Sequence, residues 1–346
     1  MSGVGDTRSV KALRALLQVR PDLAEALESA LKAADVEDID TIDAFTSYVN
    51  KKNRSAPASR NIVDILAPFY FIINRSDVLK QSVEFQDWAK SVVADEGHFL
   101  DSPESIAGLA TFYAEPAMKM DDYVVAPSGW MSFNQFFARE FKPGKRPIAG
   151  IGDNSTIVAP ADGVFEGVFP ITAEATIVVK GISHAITDLL QDSDFGHLFA
   201  GGCFTHSLQQ LNDYHRFHVP VAGTIVERKI VPGFVTIDIS RARDGVFTTV
   251  DGEGFQFQQQ RGVIVIETVE TGYVAVLPIG MGHVGSVEIT PDLGAELHKG
   301  EQFGFFQFGG SDVIVLFQKD AVEITAEAGR HYLVGEAIGA AKPRSI

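Results

Sequence analysis

Apolar residues in the first third of the chain recur at three- and four-residue spacing, as in the stretch from Asp22 to Ala33. That period puts them on one face of a helix and predicts a helical region from about Val10 to Leu109. Ser102-Pro103-Glu104-Ser105 reads as a helix start, with Ser102 as N-cap and Pro103 in the first turn. The longest apolar run, Leu66 to Ile73, contains Pro68 and stops at Asn74-Arg75. It falls well short of the ~20 residues that span a bilayer, so it is assigned to the core. After about Ser128 the pattern changes. Short runs of Val, Ile, Phe and Thr alternate with Gly, Pro and Asp turns, as in Gly163 to Val168, Ile225 to Ile230, Gly262 to Val269 and Tyr273 to Ile279. Such runs predict antiparallel strands in a sandwich or partly closed barrel. The expected fold class is α+β: a helical N-terminal extension over residues 1–125, then an antiparallel β-rich catalytic domain over residues 126–346.

Composition narrows the partners. With 45% hydrophobic and 21% charged residues the chain builds a packed core. A net charge of −16 argues against nucleic acid and against loose docking on an anionic membrane, although a local basic patch can still bring a membrane surface close. Cys203 is the sole cysteine, which excludes an internal disulfide. The first residues carry neither the basic flank nor the apolar core of a signal peptide. The expectation is a cytoplasmic, soluble protein without a spanning segment, with peripheral membrane association allowed.

Four segments carry candidate chemistry. In Phe308-Gly309-Gly310-Ser311-Asp312 two glycines precede a serine at the entry to the apolar run Val313 to Phe317. Glycine tolerates strained backbone and leaves its carbonyl open, so the Ser311 hydroxyl can add to the Gly310 carbonyl and turn the amide into an ester. Elimination and hydrolysis then leave a pyruvoyl group at position 311. The bland reading is a Gly-Gly turn feeding a strand. In Asp213 to Pro220 (DYHRFHVP), an extended backbone puts His215 and Phe217 on one side and Tyr214, Arg216 and His218 on the other. Histidines spaced in this way also occur in metal sites, but no Cys pair or H-E-x-x-H stands nearby, and no metal is expected. Ala159-Pro160-Ala161-Asp162-Gly163 is turn chemistry in which Asp162 can orient a histidine. In chain order Asp162, His218 and Ser311 supply the parts of a hydroxyl-activating triad. Gly280 to Val287 is glycine-rich without P-loop or G-x-G-x-x-G spacing, which fits backbone packed closely against a pocket.

These segments, with the basic aromatic stretch Phe136 to Ile148 (FFAREFKPGKRPI), Val284-Gly285-Ser286 and Lys299 to Ser311 (KGEQFGFFQFGGS), resemble the phosphatidylserine decarboxylase family in the family's order, over about residues 128 to 345. The resemblance implies cleavage between Gly310 and Ser311 into chains of 310 and 36 residues, the second counted from Ser311 to Ile346. It implies a pyruvoyl cofactor derived from Ser311, no metal, and carboxylate removal through a Schiff base. Asp162 and His218 match the residues that activate the serine, and His215 the histidine beside the substrate's carboxylate. Gly282, His283, Val284, Gly285, Phe308 and Gly309 fall where the pocket is supported. The chain departs from the family at Asp312, where a small hydroxyl residue is usual. The segment His98 to Ser105, with Gly129-Trp130, looks like the helical extension of soluble members, similar to tryptophan-type amino-acid decarboxylases. A free L-amino acid, aromatic ones included, is therefore the first expected substrate and the phosphatidylserine headgroup the alternative. A homodimer of processed protomers is expected. Two rivals remain: a serine hydrolase with the same three residues, which lacks the G-x-S-x-G elbow, and a non-catalytic binding homologue that stays uncut.

Overall fold

The computed structural model describes residues 5–60, 62–179, 182–233, 237–250, 259–281, 287–308 and 310–343. It divides into two compact units, Met1–Met118 with Ala126–Phe136 and Phe234–Gly252, and Lys119–Val125 with Phe137–Gly233 and Glu253–Ile346.

The first unit is helical, with α1 (Arg8–Val19), α2 (Pro21–Ala34), α3 (Ile42–Lys52), α4 (Ile62–Ile73), α5 (Asp77–Gln81) and α6 (Val83–Leu100). The spaced apolar residues of α2, Leu23, Leu27, Ala30 and Leu31, are buried, as their period requires. The apolar run ahead of Asn74 forms most of α4 and is buried in the same core. Pro68 interrupts the hydrogen-bond ladder of this helix, and the Tyr48 hydroxyl fills the gap, donating to the Ile65 carbonyl at 2.7 Å and accepting from the Phe69 N–H at 3.0 Å. The start at Ser102 is a 3-10 helix, Pro103–Gly108, and Ser102 makes no capping bond with its side chain. The Ser105 hydroxyl instead donates back to the Ser102 carbonyl at 2.6 Å. A hairpin distant in sequence, Asp238–Arg241 with Phe247–Val250, contributes Ile239 and Phe247 to the helical core.

The second unit is built on an eight-stranded antiparallel sheet. Its order is Glu296–Leu297, Gly223–Val231, Arg261–Thr268, Gly272–Met281, Gly310–Phe317, Cys203–Gln209, Gly163–Pro170 and His331–Tyr332. The whole chain is α+β, as expected. One face of this sheet carries a core of Val263, Val265, Leu277, Ile314 and Leu316 with the short helix Ile186–Leu190. On the other face lies a three-stranded sheet of Val287–Ile289, Gln302–Phe306 and Arg216–His218. The layers meet at Gly262, where a Cβ would come within 3.0 Å of Val287, Ile289 and Pro278 side chains. Among the described residues no helix is long and apolar enough to cross a membrane.

Candidate active site

The strand opened by Gly310 and Ser311 lies inside the eight-stranded sheet rather than at its edge. Backbone pairing sets Ser311 opposite Gly280 on one side and Gln209 on the other. Gln209 reaches out of that position and donates from its side-chain amide to the Tyr214 carbonyl at 2.5 Å. The Tyr214–His218 segment is thereby tied to the residue that faces the expected cleavage point. A second tie runs from the Phe306 N–H to the His215 carbonyl at 2.8 Å, and the strands Gln302–Phe306 and Arg216–His218 pair directly.

His215 sits where three of the sequence segments converge. Its ring is fully buried and stacks on Phe137 at a centroid distance of 3.9 Å, and Phe308 meets Phe137 edge-on at 5.5 Å. Phe137 comes from the basic aromatic stretch and Phe308 from the segment leading into the cleavage point, so these motifs meet around one imidazole. Neither ring nitrogen of His215 makes a well-formed hydrogen bond among the described residues. Burial drives its pKa well below the ordinary 6.5, with Arg139 adding to the effect and the Asp213 carbonyl opposing it. The alternation expected for DYHRFHVP is present, with His215 and Phe217 buried and Arg216 and His218 half-buried. Tyr214 is buried as well, in a cluster with Tyr123, Phe141 and Val334.

His218 is held by two groups that sequence reasoning did not single out. Its Nδ1 lies 2.8 Å from the Gly300 carbonyl, and its Nε2 lies 3.1 Å from the Tyr214 hydroxyl. A carbonyl can only accept, so Nδ1 carries the proton and the lone pair of the neutral ring is on Nε2, facing the phenol. Gly300 has φ +82, and a Cβ there would lie 2.5 Å from the Ile148 side chain. Glycine is therefore required where the chain turns its carbonyl toward His218. The Lys299-Gly300 dipeptide, a lone glycine between charged residues, was the available signal. Gly300→Ala is expected to cost about 1–3 kcal/mol of stability through backbone strain and to slow any reaction that depends on His218. Thermal denaturation and a cleavage time course read the two effects separately.

Asp162 is buried in the turn before Gly163, and the His218 N–H bonds to the Pro160 carbonyl at 2.7 Å, which places the turn beside the histidine. The Asp162 carboxylate does not hydrogen-bond the ring. Its oxygens accept from Arg146 Nε at 3.0 Å, from Arg146 Nη2 at 2.5 Å and from the Val334 N–H at 2.8 Å. The Arg146 guanidinium also lies over the Phe141 ring at 3.6 Å, which accounts for one basic and one aromatic residue of the Phe136 to Ile148 stretch. Asp162 therefore acts on His218 through space. Burial lowers the His218 pKa below the ordinary 6.5, while the Gly300 carbonyl and Asp162 oppose that shift. A base of this kind stays neutral at pH 7. Any reaction that needs its lone pair should hold its rate as pH falls to about 6.5 and lose it only as the lowered pKa is crossed. Because the unfolded rings of His215 and His218 take up protons first, stability should also decline as pH falls below the ordinary 6.5. Rates and melting temperatures measured between about pH 8 and about pH 5 check both signs.

The expected pocket residues Gly282, His283, Val284 and Gly285, and Gly309, lie outside the described residues. Among the described residues no group of three or more His, Cys, Asp or Glu side chains is arranged to hold a metal ion.

A family model for phosphatidylserine decarboxylase matches residues 133–340. The chain belongs to the phosphatidylserine decarboxylase family. Phosphatidylserine decarboxylase proenzyme 2 of Oryza sativa subsp. japonica is 32% identical over 248 residues, covering 70% of this chain and 38% of the rice protein. Proenzyme 3 of Schizosaccharomyces pombe is 31% identical over 243 residues, 70% of this chain but 24% of that one. The chain thus spans about a quarter to two fifths of these longer relatives. The phosphatidylserine decarboxylase proenzyme of Fusobacterium nucleatum subsp. nucleatum is 30% identical over 231 residues, which cover 66% of this chain and 73% of the bacterial protein.

The pyruvoyl group that membership in this family implies would be made from Ser311 itself, and the surroundings suit it. The backbone opposite Ser311 on one side is glycine at position 280, and Gly310 precedes the serine. His215 has two buried ring nitrogens without a well-formed hydrogen bond among the described residues.

Proposed function

We propose that the chain is the proenzyme of a carboxy-lyase that cuts itself between Gly310 and Ser311 and then removes the carboxyl group of the serine headgroup of phosphatidylserine, yielding phosphatidylethanolamine. The observation that carries this reading is the convergence of Phe137, His215 and Phe308 beside the strand that Ser311 opens. The substrate follows from the relatives, which are named for phosphatidylserine. They favour the serine headgroup over the free amino acid expected from the N-terminal segment.

Maturation uses this chain's own groups. His218 takes the proton of the Ser311 hydroxyl on Nε2, its tautomer fixed by the Gly300 carbonyl and its charged form favoured by Asp162. The hydroxyl oxygen bonds to the Gly310 carbonyl carbon as the Gly310–Ser311 amide bond breaks, and the freed nitrogen takes a proton. Loss of the Ser311 α-proton expels the Gly310 carboxylate, and water then releases ammonia from the remaining nitrogen. Tyr214 holds the base in place before Ser311 takes over its contact.

In the matured protein the pyruvoyl group supplies an electrophilic carbonyl and an electron sink for breaking a carbon–carbon bond. The residues around it bind and orient. His215, kept neutral by burial, can hold one N–H toward the substrate carboxylate without the full ionic stabilisation that would favour the bound substrate over its transition state. Phe137 and Phe308 keep water from this side of the site.

Intact-mass measurement of the purified full-length chain, followed by carbon dioxide release, tests the proposal. Fragments ending at Gly310 and beginning at position 311 are expected, with release from phosphatidylserine-containing vesicles. Release from free aromatic amino acids alone would overturn the substrate assignment and leave the reaction class standing. A chain that stays whole and reacts with a fluorophosphonate probe would favour a serine hydrolase.

A further inference from the structure

The maturation chemistry leaves unused a buried ionisable pair beside the cleavage point. Asp312, next to Ser311, is fully buried, and its Oδ2 lies 3.0 Å from Nε2 of His206 on the neighbouring Cys203–Gln209 strand. Pairing sets Asp312 opposite Ile279 and Leu208, and His206 opposite Ile314. Both side chains therefore lie on the sheet face that carries Leu277, Ile279, Ile314 and Leu316, a largely apolar core in which the buried Arg261, opposite Ile279, donates to the Leu189 and Asp188 carbonyls. We propose that Asp312 and His206 form a positioning pair that holds the Gly310–Ser311 junction in place for self-cleavage. The proposal rests on the self-processing reading above.

Stability gives little reason for such a pair. Removing a carboxylate from water is costly, and well-packed hydrophobic residues in place of a buried ion pair are often neutral or stabilising. What the pair does supply is a close contact, running diagonally from the residue just past the junction to the adjacent strand. That strand needs such a tie. On its far side the ladder with Gly163–Pro170 shifts register between Phe165 and Gly167, and Gly167 is the residue that faces His206. A bulge loosens the ladder locally and increases its twist. With its outer neighbour out of step, the Cys203–Gln209 strand has one fewer regular constraint at His206, three residues before the Gln209 that faces Ser311. The Asp312–His206 tie restores one at that level. It acts through the backbone and exchanges no group, so its part is to keep the serine and the Gly310 carbonyl in attacking geometry.

The test follows cleavage of the full-length chain by denaturing electrophoresis in His206→Gln, His206→Leu and the double variant His206→Leu/Asp312→Leu, with melting temperatures measured in a Ser311→Ala background so that all chains stay whole. Gln can donate to Asp312, so His206→Gln should cleave within about threefold of the unaltered chain. The Leu pair should melt no lower than the parent yet cleave about tenfold to a hundredfold more slowly, the scale at which a small misplacement slows a reaction. Cleavage of the Leu pair at the parent rate would overturn the proposal, because packing alone would then suffice. A loss shared equally by His206→Gln and His206→Leu would overturn it too. If the Leu pair fails to fold, the two His206 single variants carry the same comparison. An unaltered chain that never cleaves overturns the self-processing reading itself, whereas normal cleavage in parent and Leu pair alike overturns the pair alone.

Discussion

Ser311→Ala should leave one polypeptide of full length, with no 36-residue fragment and no carbon dioxide released from phosphatidylserine vesicles. The loss should be complete rather than partial, because in the proposed chemistry the same oxygen is the nucleophile of cleavage and its departure creates the electrophile. The fold should survive. Position 311 is paired through its backbone on both sides, with Gly280 and Gln209, and those ladders need no side chain there. The variant should therefore melt as cooperatively as the precursor, which separates lost chemistry from lost structure. Phenylhydrazine, which traps carbonyls of the pyruvoyl type, should label the short fragment of the parent and leave the variant untouched. Decarboxylation by Ser311→Ala would remove the pyruvoyl group from the mechanism.

Much of the framework for this chemistry could be read from local pattern. The strands expected at Gly163, Ile225, Gly262 and Tyr273 are present as Gly163–Pro170, Gly223–Val231, Arg261–Thr268 and Gly272–Met281. Each is a run of apolar and β-branched residues bounded by turn formers, and that pattern is complete within the segment itself. The alternation that buries His215 and Phe217 is likewise a property of consecutive residues. What escaped reading depends on partners distant in the chain. Asp162 was expected to orient His218, yet its oxygens are bound by Arg146 and by the Val334 N–H, 172 residues away. The carbonyl that fixes the His218 tautomer belongs to Gly300, 82 residues on, and a lone glycine between charged residues marks a turn without saying which side chain its carbonyl meets. Asp312 stood out in sequence only as a departure from a family habit. Its meaning appears once the strand order sets His206 beside it. The Asp238–Arg241 and Phe247–Val250 hairpin makes the same point, since nothing in its composition announces that it packs with the helices. Pairing across such distances is decided by which apolar faces must be covered together, and periodicity carries no record of that.

His215→Phe should cleave into both fragments and then fail to turn over, with carbon dioxide release down by about a hundredfold or more, the scale of removing a positioned proton-transfer group. Phenylalanine is chosen because the parent ring stacks on Phe137 at 3.9 Å in a fully buried site. An aromatic ring of similar size keeps that contact and removes only the two nitrogens. His215→Ala would leave a cavity beside Phe137 and mix a packing defect with the chemical one. The split between cleavage and turnover follows from the placement of the two histidines. His218 is held by Tyr214 and Gly300 in a tautomer that presents Nε2 as a base, which suits deprotonation of a hydroxyl. His215 has no well-formed hydrogen bond among the described residues and has its pKa driven well below the ordinary 6.5, so it is neutral in the precursor and no partner fixes which nitrogen presents the lone pair. A buried imidazole without a well-formed hydrogen bond is costly to the fold, and in the proposed reading the arriving carboxylate supplies a partner. Binding should weaken along with turnover, since the substrate loses that contact in the ground state as well. A His215→Phe chain that remains whole would mean that this histidine works in maturation, and the division of labour between the two rings would have to be reversed or abandoned.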